Sequence, residues 1–302
     1  EFNECIKLSD AKKANLRKSR NALRDKITKD FASDTDYTPK YHGQGSFSLR
    51  TIVNPLEAGE YDIDDGIYFE VTKEPKDSPE QFHSWIMKAI EDYTDNIKDK
   101  NPCIRVIFSD GHHIDLTIYY CIKGNSPKLA HKKLGWIDSD PKEFMNWFND
   151  KLDEDCQLRR IVKYLKAWSD FKNLSLTGLV LTILAAENFS TDNRDDKSFL
   201  QTIKNIQTKL KAEFVCFRPT TPKDEDLVSN ISETNRDKFL NALENLINSG
   251  DQAMQEPNQK NACIKWKKHF GDRFPCGIAE DLLEEAKTFK SPAFVVTDGR
   301  SA

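Results

Sequence analysis

The sequence predicts an α+β protein in which a mixed sheet with flanking helices is followed by a lobe built from helices. Two observations predict this division. Segments that alternate in the manner of strands and are rich in Ile, Val, Tyr and Phe lie within about the first 125 residues. Beyond the KGNSPK segment at 123–128, apolar residues recur at helical spacing. We therefore predict a sheet-containing core over residues 1–140, a helical lobe over residues 141–302, and an active site in the cleft between them.

The composition is that of a globular protein with no bias toward nucleic acid. The 302 residues include 45 Lys and Arg against 49 Asp and Glu, for a net charge of -4, so we expect no stable double-stranded DNA partner. The longest apolar run, at 174–186, is shorter than the ~20 residues of a membrane-spanning helix and predicts a buried helix. The seven cysteines show no CxxC spacing, which favours reduced thiols and a cytoplasmic protein without a membrane segment.

Residues 9–33 predict a long amphipathic helix ahead of the sheet. Ser9 is suited to cap this helix, and apolar residues at helical spacing follow it: Leu16, Leu23, Ile27 and Phe31. The opposite face is basic, and its members are Lys12, Lys13, Arg17, Lys18, Arg20 and Arg24. Two interpretations of this face stay open, a solvated helix surface and a stripe that binds a ligand.

The remaining elements follow from hydrophobic period and turn residues. A strand is predicted at 60–71, a helix at 78–97, and a β-hairpin formed by 103–110 and 113–121. Helices are then predicted at 141–150, 155–171, 176–189, 196–214 and 232–250, with two more between about 258 and 288. A Pro-rich loop at 217–226 separates two of these helices.

Three carboxylates form the candidate catalytic and metal site. Residues two apart in a strand point to the same side of a sheet, so Asp62 and Asp64 share one face and Asp65 faces the other way. Asp115 is the only acid in an otherwise apolar strand segment, where an unpartnered carboxylate is costly. Pairing the two strands would bring Asp115 to Asp62 and Asp64. Such a cluster holds divalent cations, and we predict two Mg²⁺ ions, with Mn²⁺ as an alternative.

A Gly-Ser turn favours this interpretation over a structural one. Taken alone, Asp62, Asp64 and Asp65 precede a glycine, and Asp-Asp-Gly is also common in hairpin turns. However, Gly45 and Ser46 lie just upstream, where a glycine lets the backbone approach a phosphate and a serine hydroxyl bonds its oxygens. A Gly-Ser turn, an Asp-x-Asp pair and a third Asp on a later strand together predict phosphoryl transfer.

This order of motifs resembles the nucleotidyltransferase superfamily of the DNA polymerase β type. The segments QGSFSLRT, YDIDDGIYF and HIDLTIYY resemble those of the bacterial cGAS/DncV-like nucleotidyltransferases. That family comprises cyclic oligonucleotide synthases of anti-phage signalling, which are relatives of animal cyclic GMP-AMP synthase and oligoadenylate synthase. The helical segments at 158–171 and 174–189 resemble the family's helical subdomain. The 15 residues between Ser46 and Asp62 exceed the generic superfamily spacing, a departure that the bacterial synthases share.

The resemblance implies a polymerase β-like core with an oligoadenylate-synthase-like helical lobe, and it implies roles for individual residues. Asp62 and Asp64 would bind both metal ions. Asp115 would bind the catalytic ion and help to deprotonate the attacking ribose hydroxyl. Gly45 and Ser46 would hold the triphosphate of the donor nucleotide.

Cations for the phosphates are expected from the helical lobe. Arg159, Lys163 and Lys166 lie on one face of the helix predicted at 155–171. Lys163 is the predicted triphosphate contact, with Thr177 as a hydroxyl partner like the family's serine. A basic helix face in water is an equal alternative for this spacing.

Five further residues near the acids are considered by their position in the sequence. Tyr41, Arg50 and Tyr68 are candidates for stacking on the bases. His112 and His113, beside Asp115, are compatible with a metal site or an acid/base pair, but we expect them at the tip of the hairpin, since nothing else of ligand type is near in sequence.

We therefore predict a template-independent, Mg²⁺-dependent nucleotidyltransferase. It would join ribonucleoside triphosphates, such as ATP and GTP, into a cyclic di- or trinucleotide second messenger such as cyclic GMP-AMP. The alternatives are a linear-product enzyme of the oligoadenylate synthase or tRNA-end type, a toxin that modifies tRNA or protein, and an inactive binding module. The ending SPAFVVTDGRSA at 291–302 predicts either a disordered tail or the attachment point of an accessory conjugating enzyme.

Overall fold

The structure, a computed structural model, describes residues 1–56 and 59–277, without the side chains of 32–34. One mixed sheet of seven strands lies in the first half of these residues. The strands are β1 (Pro39–Gln44), β2 (Tyr61–Val71), β3 (Ile97–Asp99), β4 (Ile104–Ile107), β5 (His112–Ile122), β6 (Lys128–His131) and β7 (Gly135–Asp138). Their order is β1-β2-β5-β4-β3, with β6 paired to β5 and β7. β2 and β5 run parallel, and the other pairs are antiparallel.

Helices flank this sheet and form the second half of the described chain. They are α1 (Phe2–Ile6), α2 (Asp10–Asp34), α3 (Gly45–Ser48), α4 (Pro79–Ile90), α5 (Pro141–Asp150), α6 (Gln157–Phe171), α7 (Gly178–Glu187), α8 (Asp195–Ala212), α9 (Glu233–Gln255) and α10 (Gln259–Phe270). The predicted cap of the long N-terminal helix is present, since the Ser9 hydroxyl accepts a hydrogen bond from the backbone N–H of Lys12.

The buried apolar residues form two main clusters that correspond to the two halves. One cluster packs α2 and α4 against the sheet and includes Phe31, Phe69 and Phe82. The other joins α5 to α10 around Trp168, which is fully buried and packs edge-on against Phe239 at 5.5 Å. The predicted α+β architecture is confirmed, while the division at residue 140 stays a prediction.

The first eight residues connect the two clusters. Ile6 belongs to the helical cluster and Leu8 to the sheet cluster. The Phe2 ring stacks on Tyr164 of α6 at 5.0 Å, and the backbone N–H of Asn54 donates to the Ile6 carbonyl over 2.7 Å. This segment therefore helps to hold the two halves in one arrangement.

The structure differs from two secondary-structure predictions. The region after 125 was predicted as wholly helical, yet β6 and β7 form a hairpin there. Each has only four residues, too few for a period-2 pattern to stand out. The helix predicted at 78–97 ends at Ile90, and β3 occupies 97–99.

The prediction of reduced thiols is also wrong for one pair of cysteines. Cys263 of α10 forms a disulfide with Cys276, with 5.7 Å between their Cα atoms. Their separation of 13 residues matches no short motif, so only the turn of the chain after α10 brings them together. The five other cysteines are free.

Two further predictions concern the ends and the longest apolar run. The tail at 291–302, with its proposed conjugation site, and the last helix predicted before residue 288 lie outside the described residues. The apolar run forms α7, which is buried in the helical cluster. Among the described residues, no helix combines the length and apolarity needed to cross a membrane.

Candidate active site

One row across four strands of the sheet carries four polar side chains next to one another. In register, Gln44 of β1 pairs with Asp64 of β2, Asp64 pairs with Asp115 of β5, and Asp115 pairs with Arg105 of β4. Residues in register project from the same face of a sheet. The structure therefore brings the second and third predicted acids together as direct neighbours.

The other two acids of the motif lie where strand alternation predicts. Asp62 is two residues before Asp64 on β2 and is the register partner of His113. Asp65 projects from the opposite face, where it is fully buried and forms an ion pair with Arg24 of α2, whose Nε lies 2.7 Å from Oδ2. Asp65 thus stands inside a strand and not in a turn. Its ion pair also gives one member of the basic face of α2 a structural partner.

Asp64 is a carboxylate in an unfavourable setting. Burial raises its pKa to about 8, and the negative charges of Asp62 and Asp115 add to the rise, against smaller opposing effects of Arg105 and Lys166. Within the described chain, its side chain has no hydrogen-bond or ion-pair partner. A cation bound between these acids would offset the cost of burying the charge of Asp64 and its repulsion by Asp62 and Asp115, because a cation favours the ionised form.

The acids fit a divalent cation only in part as they stand. Over residues 1–56 and 59–277, no group of three His, Cys, Asp or Glu side chains is arranged to hold a metal ion. Both Asp115 oxygens accept hydrogen bonds from Arg105, at 2.7 Å from Nε and 2.6 Å from Nη2. Asp62 and Asp64 therefore offer carboxylate oxygens that suit Mg²⁺, whereas Asp115 is shared with a guanidinium.

Gly45 packs directly against Asp64. Its φ of +68° lies in the left-handed region, which glycine adopts without steric cost. A Cβ atom on Gly45 would stand 1.7 Å from Oδ2 of Asp64. Glycine is thus required here twice, by backbone conformation and by the close approach of the turn to the acid.

A cavity of about 630 Å³ opens over the acids and is lined by both halves of the chain. The sheet half contributes Gln44, Gly45, Ser46, Asp62 and Asp64. The helical half contributes, among others, Lys166, Gly178, Thr182, Arg218 and Thr221. Asp115 is 8% exposed and lies beneath this lining, beside Asp64. The volume is in the range of small-molecule sites.

Lys166, and not Lys163, is the lysine of α6 that reaches the cavity. The Lys163 ammonium group donates to the side chain of Asn3 and does not line the cavity. Lys166 is half-buried, its Nζ lies 3.2 Å from the Thr51 hydroxyl, and the charges of Asp62 and Asp64 act on it. The structure therefore places Lys166, three residues further along the same helix, at the cavity in place of the predicted Lys163.

Thr177, predicted as a hydroxyl partner, is the N-cap of α7, where its Oγ1 accepts from the backbone N–H of Val180.

Residues that sequence reasoning passed over complete the far side of the cavity. Arg218 and Thr221 come from the Pro-rich loop, whose carbonyl at Thr221 accepts from the N–H of Asp140 over 3.4 Å. The loop's composition predicted only its irregular structure.

Two of the three stacking candidates are not available to a base. Tyr68 is buried, stacked on Tyr119 at 4.6 Å with the Lys142 ammonium over its ring. Tyr41 packs toward α2, and its hydroxyl donates to the Arg24 carbonyl over 3.0 Å. Arg50 is exposed and adjoins the lining residue Leu49.

The two histidines of the hairpin have different surroundings. His112 stacks on Phe108 at 4.2 Å, and its Nε2 lies 3.0 Å from the Ser19 hydroxyl, so its role is structural. His113 is buried on the acid face, where its Nε2 has no hydrogen-bond partner and lies 3.9 Å from Oδ2 of Asp62. Its prediction as a hairpin tip missed this position, although its spacing of two from Asp115 indicates a shared face.

The arrangement of motifs matches a known protein family. Residues 39–119 match the family model described as the nucleotidyltransferase domain of cyclic GMP-AMP synthase DncV-like proteins. The chain is 26% identical over 235 residues to a cyclic GMP-AMP synthase of Escherichia coli (strain TW11681), covering 58% of this chain and 53% of that protein. It is 25% identical over 236 residues to one of Vibrio cholerae serotype O1, covering 59% and 53%. The chain thus spans about half the length of the curated relatives it matches.

Solved structures of similar fold cover more of the chain. The Vibrio cholerae di-nucleotide cyclase DncV in complex with GTP has a TM-score of 0.76 at 20% identity, over 89% of this chain and 92% of that one. The same protein with a linear pppA-pG intermediate has a TM-score of 0.73 at 20% identity, over 90% and 93%. At this identity the likeness shows the fold. Residues 39–119 therefore match the DncV-like nucleotidyltransferase domain, and the described chain shares the fold of DncV.

Proposed function

We propose that this chain is a template-independent, Mg²⁺-dependent nucleotidyltransferase that joins ribonucleoside triphosphates into a cyclic di- or trinucleotide. One observation carries the proposal. Asp64 is half-buried beside Asp62 and Asp115, and within the described residues no side chain forms a hydrogen bond or ion pair with it, at the wall of a cavity that a half-buried lysine also lines. Asp65, on the opposite face of the same strand, is by contrast neutralised by Arg24.

The proposed roles of the acids follow from their positions. Asp62 and Asp64 would hold the divalent ions, which supply charge neutralisation for the triphosphate and lower the pKa of the attacking hydroxyl. Asp115, next to Asp64 in register, would help to remove the proton of that hydroxyl. Asp64 is half-buried and Asp115 is only 8% exposed, and reduced contact with water strengthens the electrostatic interactions of both acids.

The proposed roles of the cations follow from the cavity lining. Lys166 would bind the β- and γ-phosphates, since the charges of the acids act on its ammonium group. That group has three N–H donors, and its hydrogen bond to the Thr51 hydroxyl uses one of them. Gly45 and Ser46 would contact the same triphosphate through backbone and hydroxyl groups. Arg218, from the loop on the other wall, would contact the second nucleotide.

The proposed reaction repeats one bond exchange. A ribose hydroxyl oxygen attacks the α-phosphorus of a second nucleotide, the bond between the α- and β-phosphates breaks, and pyrophosphate leaves with its electron pair. The linear product then turns over in the cavity, and its own terminal hydroxyl closes the ring with loss of a second pyrophosphate. A trinucleotide ring requires one further addition.

Product analysis tests the proposal directly. The chain is incubated with radiolabelled ATP, GTP, CTP and UTP and Mg²⁺, the mixture is treated with phosphatase, and the product is identified by thin-layer chromatography and mass spectrometry. We expect a phosphatase-resistant product, because a ring has no terminal phosphate. A phosphatase-sensitive oligomer would favour the linear-product alternative, and no incorporation would contradict the proposal.

Variants of the acids test the mechanism. Asp62→Ala combined with Asp64→Ala should abolish incorporation while the circular dichroism spectrum stays native. The matched control is Glu70→Ala on the same strand, whose carboxylate is exposed and forms an ion pair with exposed Lys40. Retained activity in the double variant would refute the mechanism.

The wider role is proposed on the family resemblance. We propose that the product is a second messenger of anti-phage defence made in the cytoplasm. Accessory regulators, including an enzyme that conjugates the C-terminal residue, belong to the same proposal. Infection of cells that carry the wild-type chain or the Asp62→Ala, Asp64→Ala variant tests it, since only the wild type should protect.

A further inference from the structure

We propose that Arg105 is a positioning residue of this site: it serves as the internal counter-charge of Asp115 and lowers the affinity of the acids for divalent cations. The inference rests on the proposed nucleotidyltransferase function, because it concerns the metal site of that function. It assigns to a residue of β4 a role that the sequence motifs do not contain.

The geometry of the pair is that of a two-point clamp. Nε and Nη2 of Arg105 each donate to a different oxygen of Asp115, at 2.7 and 2.6 Å. Such bidentate pairs fix the plane of the carboxylate as well as its charge. The two residues are register partners on neighbouring strands, so the backbone of the sheet holds both ends of the clamp in place.

Arg105 is one of two cations that oppose the mutual repulsion of the acids. Asp62, Asp64 and Asp115 approach one another from β2 and β5, and Glu60 adds a fourth carboxylate at the rim. The cations that act on Asp64 from the neighbouring elements are Arg105 of β4 and Lys166 of α6. Three close acids in a partly buried site repel one another. Arg105 therefore makes the cluster tolerable before any metal ion enters.

The same clamp competes with a metal ion for Asp115. An ionised carboxylate has about four lone-pair positions, and Arg105 uses both oxygens. A metal ion that enters must share Asp115 with the guanidinium or displace it. A second acceptor is at hand, since Nη1 of Arg105 lies 3.8 Å from the carboxylate of exposed Glu60. Arg105 can thus turn toward Glu60 as the metal ion takes up one side of Asp115.

Mn²⁺ binding to the full chain without nucleotide tests the inference, with free Mn²⁺ measured by electron paramagnetic resonance after removal of metal by EDTA and dialysis. Arg105→Gln should bind Mn²⁺ about tenfold more tightly than the wild type, because one positive charge has left the site. Arg105→Lys keeps the charge and should stay within about twofold of the wild type. Arg160→Gln is the matched control, since it removes the same group from a carboxylate, Asp195, that keeps its bonds to Gln157 and Tyr164.

The outcomes separate the two proposals. Unchanged or weaker Mn²⁺ binding by Arg105→Gln would overturn the role of Arg105, as would a tenfold change in Arg105→Lys if the glutamine variant does not fold. Thermal unfolding gives a second measurement: Arg105→Gln should unfold at lower temperature in EDTA and recover with Mn²⁺. A wild type that binds no Mn²⁺, or an Asp62→Ala, Asp64→Ala variant that keeps activity, would instead refute the proposed function.

Discussion

Replacing Gly45 by alanine would put a methyl group where the carboxylate of Asp64 now lies. The added Cβ atom would be 1.7 Å from Oδ2 of Asp64, against a normal lower limit of 3.0 Å. The carboxylate oxygen would therefore have to move by roughly 1.3 Å. The backbone φ of +68° adds a cost of about 1–2 kcal/mol for any residue with a Cβ atom.

These two effects have different expected sizes in two assays. A displacement of about 1 Å in a catalytic group lowers a rate by about 100-fold, so we expect Gly45→Ala to lose nucleotide incorporation by that factor. The free energy of unfolding, measured by urea denaturation, should fall by about 1–2 kcal/mol. Activity would thus be lost in a protein that is still folded.

Gly111 provides the matched control for this prediction. Its φ of +85° is also left-handed, but a Cβ atom there would meet nothing within 4 Å. Gly111→Ala should therefore lose a similar amount of stability and keep its activity. The reasoning is refuted if Gly45→Ala keeps wild-type activity, or if Gly111→Ala loses activity to the same extent.

Three further predictions concern Lys166, Asp65 and His269. Lys166→Met should lower the initial rate of incorporation by about 100-fold. Lys163→Met should lower it by less than about threefold, because of these two lysines only Lys166 lines the cavity. A larger loss in Lys163→Met than in Lys166→Met would favour the assignment made from the sequence. Asp65→Asn should lower the free energy of unfolding by about 3 kcal/mol, since it breaks a buried ion pair with Arg24. The rate of nucleotide incorporation per folded molecule should stay near that of the wild type. Loss of incorporation without loss of stability would contradict this. Burial, together with the charges of Lys172 and Lys268, lowers the pKa of His269 to about 4. Between about pH 6.5 and pH 4, His269 is therefore protonated in the unfolded chain and neutral in the folded chain. Stability should therefore fall with decreasing pH, by about 2 kcal/mol at pH 5 relative to pH 7, and His269→Gln should lack this part of the pH dependence in urea denaturation; an unchanged pH dependence would show that the ring is protonated in the fold.

Local patterns in the sequence predicted the elements and the acids. Strand alternation separated Asp64 from Asp65, which the structure places on opposite faces of β2. Helical period identified the core residues of α2, and Ser9 identified its start. These properties depend on neighbours within a few residues, so a linear chain contains them.

Position in three dimensions decided which charged side chains face the acids. Lys163 and Lys166 are one turn apart on α6, and the roll of that helix against the sheet selects Lys166. Arg105 and His113 join the site through strand register, and Arg218 joins it from a loop more than 100 residues away. The sequence by itself thus identified the candidate acids, through their spacing. Only the tertiary structure decided their counter-charges, because an electrostatic partner is selected by distance in space and not by distance along the chain.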